Sequence, residues 1–63
     1  MFEQAMLAEQ FQNLLAKEQE AADFYAGLEG KVIEPGLKQQ IEQLAREKQR
    51  HVELTQRLLE IVD

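Results

Sequence analysis

Three side chains with acid–base or ligand chemistry, Glu18, Lys48 and His51, stand where an apolar rhythm calls for something apolar. Glu18 falls between Leu14 and Ala21 in the series Leu7, Phe11, Leu14, Ala21, Tyr25, Leu28. Lys48, His51 and Thr55 fill the middle of the series 37, 41, 44, 48, 51, 55, 58, 62. An ionised carboxylate on an apolar stripe requires a cation, a metal or hydrogen-bond donors. Two chemistries answer that need. Glu18 and Lys48 make a buried ion pair with His51 hydrogen-bonded beside it, unless Lys48 extends its ammonium to solvent and leaves Glu18 to water or His51. Alternatively, Glu18 and His51 from two chains make a two-oxygen, two-nitrogen set suited to zinc, iron or manganese. Lys48 argues against the second arrangement, and a lone histidine on an apolar face is more often a satisfied interface residue than a ligand. Glu47 lies about 100° round a helix from position 48, yet is i,i+4 to His51 and could share a peripheral metal with it. Tyr25 is placed to direct its hydroxyl at Glu18 or His51, although packing is the commoner role for it and for Phe24. Thr55 stands one turn beyond His51.

Other chemistries are excluded by what the chain lacks. It has no Cys, which removes disulfides, thiol catalysis and thiolate metal sites. It also has no Ser, no glycine-rich phosphate loop and only Thr55 as an aliphatic hydroxyl, so hydrolase and nucleotide chemistry are not expected. Seven Lys+Arg against 12 Asp+Glu give a net charge of −5, without the basic footprint that nucleic acid requires. The apolar runs are no more than four residues long and no basic amphipathic face is present, so neither a signal peptide, a membrane span nor a membrane-surface helix is expected. A cytoplasmic location is the expectation.

The elements that position these residues follow from the breakers. Pro35, Gly27, Gly30 and Gly36 all fall within positions 27–36, which divides the 63 residues into two segments and one turn. Each segment is rich in Ala, Leu, Glu, Gln, Lys and Arg and carries an apolar stripe at steps of three and four. The sequence therefore predicts one all-α domain over 1–63: helix 1 at about 3–28, a turn at about 29–35 and helix 2 at about 36–62. Gly30 is expected to close the first helix in the left-handed conformation and Pro35 to occupy the first turn of the second. Glu34–Lys38, Glu42–Arg46 and Glu53–Arg57 read as i,i+4 ion pairs on a solvated face. Met1, Phe2 and Met6 are expected to pack against the far end of helix 2, near Leu59, Ile61 and Val62.

Counted outward from the turn, Glu18 and Lys48 stand level in an antiparallel hairpin. A hairpin cannot enclose a stripe on both its helices, and a chain this short buries only about 60% of its unfolded surface. Two hairpins related by a twofold axis make a four-helix bundle with an ordinary core, so a homodimer or higher homo-oligomer is expected.

These residues also carry a resemblance. Glu18-Gln19-Glu20-Ala21-Ala22-Asp23-Phe24-Tyr25 with Leu28 looks like the first helix of a rubrerythrin-type ferritin-like half. Pro35-Gly36-Leu37-Lys38 and Leu44-Ala45-Arg46-Glu47-Lys48-Gln49-Arg50-His51 look like its partner helix, so the likeness covers roughly residues 14 to 60. In that family each half supplies one Glu from its first helix and a Glu-x-x-His pair from its second, and two halves enclose a di-iron site. The resemblance implies a ferritin-like four-helix bundle with Glu18 and His51 as ligands, and it implies a Glu at position 48, where this chain has Lys48. The expectation is a rubrerythrin-like hairpin whose di-iron site is incomplete, without a cofactor, acting as an oligomeric scaffold or interaction module. The alternative is an iron protein retaining peroxidase or ferroxidase-type chemistry through Glu18 and His51.

Overall fold

Two strong helix-forming segments can run antiparallel only if the chain between them reverses without costing backbone hydrogen bonds. The computed structural model, which describes residues 2–62, shows how it does so. Helix α1 spans Phe2–Glu29 and helix α2 spans Pro35–Val62, joined by a connection over 30–34. At α1's end the Lys31 N–H donates to the Leu28 carbonyl at 2.9 Å, a three-residue step that tightens the last turn. Gly30 does not take the left-handed conformation: no described residue has a positive φ. The reversal is made by a turn at 30–31 and irregular backbone over 32–34, without a left-handed glycine.

The start of α2 corrects a second expectation. Glu34 is not the helical partner of Lys38 but the residue that caps the helix. Its carbonyl accepts the first helical bond from the Lys38 N–H at 2.9 Å. Its carboxylate accepts from the Gly36 N–H at 3.0 Å through Oε1 and from the Leu37 N–H at 2.7 Å through Oε2. Those donors are two of the four that a helix start leaves unpaired, and Pro35 has no N–H to satisfy. The two bonds hold the Glu34 carboxyl below its ordinary value of 4.5, Leu37's contributing most. Neither Glu42–Arg46 nor Glu53–Arg57 closes to within 4 Å; the ion contacts among the described residues are those at Glu18. Exposed pairs of this kind gain a few tenths of a kcal/mol at best (~0.3), about what holding two long side chains together costs.

The hairpin is long and thin, 50 × 13 × 11 Å with a radius of gyration of 14.7 Å, where about 11 Å is usual for a compact domain of this length. Its core is correspondingly slight. Among the described residues the buried side chains are Ala22 on α1 and Ile41, Val52 and Thr55 on α2. Among the described residues the two ends meet through a long-range bond from Gln4 Nε2 to the Val62 carbonyl at 2.8 Å. The expected cover of the far end by the first residues falls partly on Met1 and the Phe2 side chain, which lie outside the described residues. Met6 stays 47% exposed and Ile61 77% exposed, so neither is covered.

Among the described residues no helix is long and apolar enough to cross a membrane.

Candidate functional site

The charged side chains that interrupt the stripes meet half-way along the hairpin. Fourteen residues separate Gln4 from Glu18 on α1 and Lys48 from Val62 on α2, so the contact that closes the ends also sets Glu18 level with Lys48. Lys48 Nζ lies 3.5 Å from Glu18 Oε2, and His51 Nδ1, one turn on, lies 3.4 Å from the same oxygen. The three side chains differ in burial: Glu18 is 16% exposed, Lys48 29% and His51 52%. The Lys48 ammonium is close enough for charge attraction, yet neither nitrogen is aligned to hydrogen-bond. Glu18 Oε2 is shielded from solvent and has no hydrogen-bond partner among the described residues. It is a carboxylate oxygen with the Lys48 ammonium and the His51 ring beside it and a donor still lacking, and buried polar groups rarely stay in that condition.

That geometry bears on the metal chemistry. The ammonium of Lys48 sits beside the Glu18 carboxylate and brings positive charge where a metal bound to it would stand. No group of three or more His, Asp or Glu side chains that could hold a metal is found among the described residues. Glu18 and His51 are the ligand-type side chains that one chain brings together in this layer. Glu47 is exposed and makes no ion contact with His51. Tyr25 is half-buried, but no hydrogen bond links it to Glu18 or His51 among the described residues; its ring packs edge-on against Phe24, centroids 5.8 Å apart at 71°. Thr55 is buried at 4% exposure, on the side of α2 that faces α1.

No family model, curated protein or solved structure matches this chain. Its function is to be argued from its own surfaces.

The surface beside the polar layer was only partly visible in the sequence pattern. The α2 series reads as one stripe, but the structure splits it into two rows. Ile41, Val52 and Thr55 are buried, with Lys48 half-buried among them, while Leu37, Leu44, His51 and Leu58 lie on the flank. Those four recur at strict steps of seven, and the three leucines are 49%, 39% and 44% exposed. Helix α1 carries the same device in Leu7, Leu14, Ala21 and Leu28, of which Leu7 and Leu14 are 45% and 41% exposed. At about 100° per residue the row lies roughly 60° round α2 and roughly 80° round α1 from the buried row, in the same rotational sense. On antiparallel helices such rotations bring both rows to one face of the hairpin. The signal that could have separated the rows is the exact heptad spacing of the flank against the mixed threes and fours of the core.

That face leaves much surface uncovered. The chain exposes 5045 Å², whereas a folded monomer of its mass exposes about 4,200 Å². The excess is comparable to the ~800 Å² that one partner contributes to a standard interface.

Proposed function

We propose that this hairpin is an assembly module, a rubrerythrin-like half whose two copies pair through the heptad face into a four-helix bundle, with an ion-paired polar layer where that family holds iron. The observation that carries the reading is the face itself: two heptad rows on one side of a hairpin whose own core amounts to a few side chains. Pairing face to face would bury both rows and give each helix two neighbours, the arrangement that coiled-coil-like bundles use. The reading is a scaffold rather than an enzyme because Lys48 and His51 are drawn to the Glu18 carboxylate and Lys48 holds the place a cation would take. Native mass spectrometry at micromolar concentration tests it. A species near 14.6 kDa, twice the 7.3 kDa chain, is expected; a lone 7.3 kDa chain overturns it.

One observation favours a second reading, iron binding: His51 Nδ1 and Glu18 Oε2 stand only 3.4 Å apart, and two copies would bring two of each to one level. Lys48 opposes it. Protein expressed in iron-supplemented medium and examined in the same spectrum decides between them, since a metal-free pair supports the scaffold and one or two bound iron atoms support the alternative. Replacement of Lys48 by Glu is expected to create iron affinity that the natural chain lacks.

A further inference from the structure

A face built on strict heptads has a weakness that the assembly reading must answer. Because each row repeats every seven residues, two copies that slip past one another by one heptad, about 10.5 Å, again set leucine against leucine. Apolar contact alone therefore does not choose a register. We infer that the polar layer of Glu18, Lys48 and His51 chooses it, acting as the register pin of the homodimer and drawing from the second copy the donor that Glu18 Oε2 lacks. The inference rests on the assembly reading and adds to it a specificity element with named residues.

Three observations carry it. Glu18 Oε2 is out of solvent and has no hydrogen-bond partner among the described residues, so the layer is incomplete as it stands. The layer opens toward the heptad face: His51 is itself a member of the α2 row and remains 52% exposed, leaving much of its ring free for a second copy. The layer is also central. Lys48 lies within one residue of the midpoint of α2, Pro35–Val62, and Glu18 within three of the midpoint of α1, Phe2–Glu29. A twofold axis along the bundle or one crossing its middle thus sets the layer of one copy against that of the other. There each Glu18 finds a lysine or histidine of the partner, and two carboxylates face two ammonium groups. A slip of one heptad instead sets Glu18 and His51 against the partner's leucines, and the Glu18 oxygen, with only its own Lys48 and His51 nearby, gains no donor. The aligned pair and the slipped pair then differ by a buried carboxylate oxygen on each side that still lacks a hydrogen-bond donor, a polar mismatch of the kind that specifies register in coiled coils.

The test labels the chain at a site away from the face. The sequence has no Cys, so Arg57→Cys supplies a single attachment point for a nitroxide, and the distance between the two labels of a dimer reports the register. With the natural layer one narrow distance is expected. With Glu18→Leu, Lys48→Leu and His51→Leu together, association is expected to tighten while the distribution broadens or splits into several distances. A triple variant that keeps the single narrow distance overturns the pin and leaves the assembly reading standing. A natural chain that is monomeric removes both, and the mass measurement separates that failure from the first. Charge exchange provides an independent check: Glu18→Lys alone is expected to weaken association more than about tenfold, and adding Lys48→Glu to recover it with the original distance. No recovery in the exchanged pair also counts against the pin.

Discussion

Gln4 and Val62, 58 residues apart in sequence, are joined by a 2.8 Å hydrogen bond from the Gln4 amide to the Val62 carbonyl. The last carbonyls of a helix have no partner within it, so this bond satisfies one of α2's orphans with a side chain from the start of α1. It ties the open end of the hairpin, while the connection over 30–34 ties the other.

Replacing Gln4 by Ala is therefore expected to loosen the end of α2 with little effect elsewhere. An exposed bond of this type contributes about 0.5 kcal/mol, at the low end of the usual range. Amide exchange in the last turn of α2 is expected to rise about twofold, with amides near Val52 unchanged. A uniform rise along α2 would show instead that the bond supports the whole hairpin.

The core makes a sharper case. Val52 is the most buried large side chain at 2% exposure, in a core with few other members. Val52→Ala removes two buried carbons and is expected to cost about 2 kcal/mol from transfer and cavity terms together. Ile61, 77% exposed, is the control, and Ile61→Ala is expected to change stability by less than about 0.5 kcal/mol. Thermal unfolding followed by circular dichroism compares them. Equal losses at the two sites would mean that a second copy covers Ile61.

The residues that the sequence read well and those that it misread differ in a physical way. The two helices were legible because their apolar steps of three and four run for seven turns and every breaker falls between them. Glu18 and Lys48 stood out because a charge on a stripe is conspicuous, and antiparallel counting was enough to set them level. Glu34 was misread because a glutamate four residues before a lysine fits either a helical pair or a cap. Only the backbone path after Gly30 decides which N–H groups its carboxylate can reach. His51 was read as part of one broad stripe, since a period near 3.6 does not say which edge of the stripe the partner helix covers. The helix crossing fixes that, and it leaves the 37, 44, 51, 58 row on the flank.

Gly27 offers a gain in stability. It lies in the last turns of α1 with ordinary backbone angles, and a Cβ built there meets nothing within 4 Å. Since glycine's backbone freedom in the unfolded chain is the main thing its replacement removes, Gly27→Ala is expected to stabilise the helix by about 0.5–1 kcal/mol. The melting temperature is expected to rise by several degrees. Gly36 is a different site, because there a Cβ would stand 3.2 Å from Glu34 Oε1 and crowd the cap. Gly36→Ala is accordingly expected to gain less than Gly27→Ala, and an equal or larger gain would show that the carboxylate moves aside without losing its bonds.

The cap also gives the protein an acid-side dependence with a definite sign. Glu34 accepts N–H bonds from Leu37 and Gly36, and both favour its ionised form, as does the positive end of the α2 dipole. Its carboxyl is thereby held below 4.5 in the folded chain, so folding is favoured by the ionised cap. That stabilisation is fully present above the unfolded value near 4.5 and is lost as pH falls through the lower folded value. In Glu34→Gln the amide can still accept one bond but does not titrate. The variant is expected to melt below the natural chain at pH 7, and the gap between them is expected to narrow as pH falls below about 4.5. Melting temperatures measured from pH 7 down to pH 2.5 for both chains decide the point, and a gap that stays constant across that range would mean that the cap acts through its shape rather than its charge.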